Sequence, residues 1–127
     1  YPLDRMPSFF AHADSLLVSL KNEEAFNMTI PGKIQTYLTS GIPILGMLSG
    51  EGAKTIISSK SGYVCQAGDF EGLSKIIIKM SSITKENRKE LGKNGKCFCS
   101  QEFNKERLID KLQSIIEEIY CAKKINL

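Results

Sequence analysis

Pro31-Gly32-Lys33-Ile34-Gln35-Thr36-Tyr37-Leu38-Thr39-Ser40-Gly41, followed at once by Ile42-Pro43-Ile44-Leu45-Gly46-Met47, sets a helix directly before a strand. Pro31 near the first helical position and Gly41 just past the last are start and stop signals. Ile34, Tyr37 and Leu38 fall at i, i+3 and i+4, which gives the helix one apolar face. Pro43 to Met47 then reads as a short buried strand. Upstream, Ser15-Leu16-Leu17-Val18-Ser19-Leu20 is an apolar run of strand length, led in by Asp14 and preceded by a helix end over Pro7 to Ala13. The polar stretch Lys21 to Met28 joins it to the Pro31 helix.

The alternation continues downstream. A glycine-flanked turn, Ser49-Gly50-Glu51-Gly52, precedes a helix marked by Ala53, Ile56 and Ile57 and ended by Gly62. Gly62-Tyr63-Val64-Cys65 is a third strand, and Asp69 is the N-cap of a helix whose apolar face is Leu73, Ile76, Ile77 and Met80. Thr84 to Leu91 predicts a polar helix, and Gly92-Lys93-Asn94-Gly95 a turn. From Asn104 a long amphipathic helix carries Leu108, Leu112, Ile115, Ile116 and Ile119 on one stripe. Strands alternating with helices predict an α/β fold, a parallel sheet covered on both faces. Three strands are few for such a sheet, where about 5 to 6 is the mean, so a piece of a longer chain is expected.

The 127 residues suit a single domain, 1–127, able to bury roughly two-thirds of its unfolded surface. A 42% apolar and 24% charged composition is that of a globular protein. No apolar run reaches the ~18 residues of a membrane span, and the start, Tyr1-Pro2-Leu3-Asp4-Arg5, has neither an initiator Met nor a signal-peptide layout. A net charge of +3 falls short of a nucleic-acid footprint. Cys65, Cys97, Cys99 and Cys121 read as reduced thiols, because no export signal is seen and the chain is long enough to fold without disulfides. Cys97 and Cys99 have no second Cys or His pair to complete a zinc site. His12 is the only histidine.

In an open α/β sheet, ligands bind at the carboxyl ends of the strands. Glu23 to Lys33 and Gly46 to Gly52 occupy that edge. The first leads into a helix whose N-terminal amides and partial positive charge suit a phosphate, with Gly32 allowing close approach and Lys33 adding a cation. By composition alone an ordinary helix start with a solvated lysine is the favoured reading, as are a dipole-complementing role for Glu51 and a solvated one for Glu23 and Glu24. Lys93, Lys96 and the Glu117-Glu118 pair read as solvated faces. Gly-x-Gly-x-x-Gly, Gly-x-Ser-x-Gly and Walker motifs are missing from the sequence, which removes the main support for dinucleotide, triad-hydrolase and P-loop readings.

Taken in order, Ala13 to Leu20, Ile30-Pro31-Gly32-Lys33 to Leu38, Ser40-Gly41-Ile42-Pro43-Ile44-Leu45, Gly50-Glu51, Gly62-Tyr63-Val64 and Gly68-Asp69 are more informative than any one of them. Together they resemble the C-terminal, donor-binding domain of family-4 retaining glycosyltransferases, in the branch that makes bacterial O-antigen and capsule sugars. The tail, from Gly92 and Gly95 through Phe103 to Tyr120, is similar as well. The resemblance implies the C-terminal half of a GT-B fold, a partial Rossmann-like three-layer domain. It implies a metal-independent hexosyl- or N-acetylhexosaminyl-transferase that takes a UDP-linked sugar donor. The acceptor would be a polyprenyl-diphosphate-linked saccharide, held by an N-terminal domain at the cytoplasmic face of the inner membrane.

By the same resemblance, Pro31, Gly32 and Lys33 face the donor diphosphate, while Glu24, Met28, Thr29, Thr36, Gly50 and Glu51 surround its sugar and nucleotide. Serine is usual in the family where Gly32 stands. Many members also carry two glutamates separated by seven residues, at positions that here hold Met28 and Thr36, and Glu24 could stand in for the first only from several residues away. No catalytic residue is assigned. The resemblance begins late, without the preceding units that bring an Arg and a Lys to the diphosphate. The chain alone is therefore expected to be inactive. By the same resemblance the helix around Leu108 to Ile119 belongs to a tail that reaches back toward the other domain, and in this chain part of its stripe is expected to be exposed or covered by a second copy. A non-catalytic nucleotide-binding or interaction module of the same fold is the alternative.

Overall fold

A computed structural model describes residues 2–125. After a single 3-10 turn, Leu3–Arg5, the elements run α1 (Met6–Ala11), β1 (Leu16–Ser19), α2 (Glu24–Asn27), α3 (Gly32–Ser40), β2 (Ile44–Met47) and α4 (Gly50–Ser58). They continue with β3 (Gly62–Cys65), α5 (Phe70–Ser82), α6 (Lys85–Glu102) and α7 (Lys105–Ile125). The three strands form one open parallel sheet in the order β1-β2-β3. Register sets Leu17 opposite Leu45 and Tyr63, and Val18 opposite Gly46 and Val64.

The central strand β2 is buried along its whole length, which is why Ile44 to Met47 reads as a continuous apolar run. On one face Val18 and Ile44 pack with Ile34 and Leu38 of α3, Ala53 and Ile56 of α4, and Leu48. Phe98, Cys99 and Phe103 close that core from the α6 side. On the other face α5 covers β2 and β3, with Met80 buried and Lys79 Nζ 4.1 Å over the Tyr63 ring.

Caps match the sequence signals. Pro31 is the extended N-cap of α3, and Gly41 ends it in the left-handed conformation at φ 73°. The Asp69 carboxylate accepts from the Gly72 amide at 2.8 Å, and Thr84 and Asn104 cap α6 and α7 in the same way.

Four expectations are corrected. Gly92-Lys93-Asn94-Gly95 is no turn: it lies inside α6, where Gly92 and Gly95 are buried. A side chain at Gly92 would collide with the Gly41 carbonyl oxygen, and one at Gly95 would lie 3.0 Å from Leu38 Cδ2. These glycines let α6 cross close over α3 and the turn after it. The polar stretch Lys21 to Met28 contains a short helix, α2. Ile57 is 62% exposed because only the Ala53 and Ile56 side of α4 meets the core, and Ile77 of α5 is exposed as well. Finally, the second face of the sheet is covered only in part. α5 packs on β2 and β3, so Leu17 on β1 remains 49% exposed, and the outer edge of β1 has no strand partner among the described residues.

Candidate functional site

Parallel strands bring the loops after β1, β2 and β3 to one edge of the sheet. At that edge α2 and the starts of α3 and α4 are in contact. A Cβ on Gly52 would lie 3.2 Å from the Pro31 ring and 3.0 Å from Ile34, and one on Gly50 would collide with the Asn27 backbone. Gly50 itself is left-handed, at φ 73°. The two segments that the sequence assigns to the site, around Pro31-Gly32-Lys33 and Gly50-Glu51, therefore lie side by side.

The start of α3 is open. Pro31 offers no side-chain cap, its carbonyl accepts from Ile34 N–H at 2.9 Å, and the first-turn amides of the exposed Gly32 and Lys33 have no hydrogen-bond acceptor among the described residues. A side chain built on Gly32 would meet nothing within 4 Å, and its backbone is not left-handed. Every other glycine is held by a positive φ or by an atom nearer than 3.0 Å to a built Cβ. Gly32 alone is demanded by neither packing nor backbone. Lys33 is exposed and forms no ion pair among the described residues.

The remaining assigned residues divide. Glu51 sits in the first turn of α4, where its carboxylate accepts from Lys54 Nζ at 2.7 Å, a pair within one helix. Thr36 donates back to the Gly32 carbonyl at 3.3 Å and Thr29 to the Ala25 carbonyl at 3.2 Å, so both hydroxyls are engaged locally. Glu24 opens α2 and is exposed, as is Met28. The carboxylates of Glu24 and Glu51 come from two different loops, and no carboxylate occupies positions 28 or 36.

A cavity of about 710 Å³ between α4 and α5, next to Gly50, was not signalled by the sequence. Leu48, Val64 and Ile76 give it apolar walls, with Lys54, Gln66 and Lys75 as polar groups. Ser49 Oγ accepts from Ala67 N–H at 3.3 Å, which ties the loop after β3 to the start of α4 beside it. Cys65 also lines this cavity; burial, and then the neighbouring Asp69 carboxylate, hold its thiol pKa above the ordinary value. Signals for the cavity were scattered, since its lysines come from two helices.

Among the described residues, no three His, Cys, Asp or Glu side chains converge as a metal site, and no helix is long and apolar enough to cross a membrane. No family model, curated protein or solved structure matches the chain.

Proposed function

We propose that the chain binds a UDP-sugar at the carboxyl edge of its sheet, as the donor-binding domain of a retaining GT-B glycosyltransferase. The enzyme would pass the sugar to a polyprenyl-diphosphate-linked O-antigen or capsule acceptor at the cytoplasmic face of a bacterial inner membrane. The observation that carries this reading is the uncapped start of α3: the Gly32 and Lys33 amides have no acceptor among the described residues, on an exposed first turn beside the loop that opens α4. Amides without an acceptor, the positive end of the helix dipole and a free lysine form a site for a diphosphate.

In this reading the diphosphate rests on the Gly32 and Lys33 amides, with Lys33 Nζ closing on its oxygens. Those groups, rather than a metal ion, offset the charge that grows on the leaving UDP. The nucleoside lies past Gly50 in the cavity between α4 and α5, whose apolar walls and few polar groups suit a flat heterocycle with a ribose. The transferred sugar lies toward α2, near Glu24, Met28 and Thr29. Leu17 is half-exposed and the outer edge of β1 has no strand partner among the described residues, which leaves room for further sheet beside it. Transfer also needs an acceptor held at reacting distance, so this chain alone is expected to bind donor and catalyse nothing.

Titration calorimetry with UDP and, separately, with AMP tests the reading. Binding of UDP in clear preference to AMP supports it. Preference for the adenine nucleotide, or no heat with either, overturns it.

A further inference from the structure

We propose that α7 is a self-association helix whose apolar seam pairs with that of a second copy, antiparallel and in a single register. Every described side chain from Asn104 to Ala122 is exposed. Leu108, Ile109, Leu112, Ile115, Ile116 and Ile119 are each between 44% and 58% accessible. An amphipathic helix of this kind gains most of its stability by burying that stripe against another surface.

The pattern says what fits. Leu108, Leu112, Ile115, Ile119 and Ala122 follow alternate steps of four and three, the a and d positions of a coiled-coil seam. Ile109 and Ile116 widen it on the e side, and Lys111 and Glu118 flank it at g. When two such helices run antiparallel, Leu112 meets Ile115 of the second copy and Leu108 meets its Ile119. Ile109 then lies against Ile116, and Lys111 against Glu118. The two-fold axis repeats each contact, so both charges of each copy find an opposite charge. Lys111 and Glu118 have no ion-pair partner among the described residues. On the outer face, by contrast, Glu117 accepts from Gln113 at 2.8 Å.

Other arrangements fit worse. A parallel pair would set Lys111 over Ile116 and crowd both globular bodies at one end. A membrane surface would favour a polar face rich in Lys and Arg. Over α7 as a whole the basic residues Lys105, Arg107, Lys111, Lys123 and Lys124 are nearly matched by Glu106, Asp110, Glu117 and Glu118, so its polar residues are mixed rather than predominantly basic. The pairing is independent of nucleotide binding and stands or falls separately.

Sedimentation equilibrium of the chain over a range of micromolar concentrations tests it. The unaltered chain should show a monomer–dimer equilibrium. Lys111→Glu places like charges together at two points and should raise the dimer dissociation constant by about tenfold, as should Glu118→Lys. The double reversal should restore the dimer, and mixing the two single variants should give a heterodimer tighter than either homodimer. Ile115→Asp should leave only monomer. These positions are exposed, so circular dichroism should show each variant folded. A chain that remains monomeric throughout, with or without binding to anionic vesicles, overturns the proposal. So does a dimer indifferent to Lys111→Glu, or one that the double reversal fails to restore.

Discussion

Replacing Gly32 by serine separates fold from function at a single atom position. A side chain there meets nothing within 4 Å and the backbone is not left-handed, so the native structure accepts the residue without strain. Losing glycine's freedom in the unfolded chain should then stabilise the protein by about 0.4–1 kcal/mol. For a chain of this length that raises Tm by about 1–5 °C. The new hydroxyl would project from the first turn of α3, where the diphosphate is placed. One added neutral hydrogen bond contributes about 0.5–1.5 kcal/mol, so UDP should bind roughly 2- to 10-fold more tightly. Gly32→Ala is the control, with the same gain in Tm but no gain in affinity. Differential scanning calorimetry and isothermal titration read the two quantities. A fall in Tm would show that the space is not open. Equal affinities for the serine and alanine variants would show that this turn does not face the ligand.

Lys33→Ala should weaken UDP binding by about tenfold to a hundredfold, as seen in titration calorimetry, without moving Tm. Gly92→Ala should destabilise the chain even though alanine is the better helix former by about 1 kcal/mol, because the added methyl meets the Gly41 backbone and overpacking costs about 1–3 kcal/mol; urea unfolding measures the net loss. Cys65 should react with a thiol reagent more slowly than the exposed Cys97 and Cys121, because burial first and Asp69 second raise its pKa. A thiol whose folded pKa is raised stabilises the fold fully below its unfolded pKa, and that contribution is lost as pH rises through the folded value. Wild-type stability should therefore fall across the alkaline range more steeply than that of Cys65→Ala.

Local chemistry made much of the fold legible. Pro31 and Gly41 bracket α3, Asp69 caps α5, and three short apolar runs are the three strands, because each of these signals acts within a few residues of itself. The failures have tertiary causes. Gly92 and Gly95 look like a turn because glycine is costly in a helix, and only the close crossing of α6 over Gly41 and Leu38 explains them. Ile57 fits the helical period of α4, yet no element covers it. The adjacency of the Pro31 and Gly50 loops follows from a parallel topology and could be read in advance. The cavity between α4 and α5 could not, since it depends on how two helices lie across β3.

An amide-resolved NMR titration of the chain with UDP tests the donor site most directly. The largest shifts are expected at the Gly32 and Lys33 amides, with a second group at Gly50 and Glu51, while Arg88 near the opposite edge and the α7 residues stay in place. Shifts confined to other surfaces, or a spectrum unchanged at saturating UDP, would contradict a diphosphate site at the start of α3.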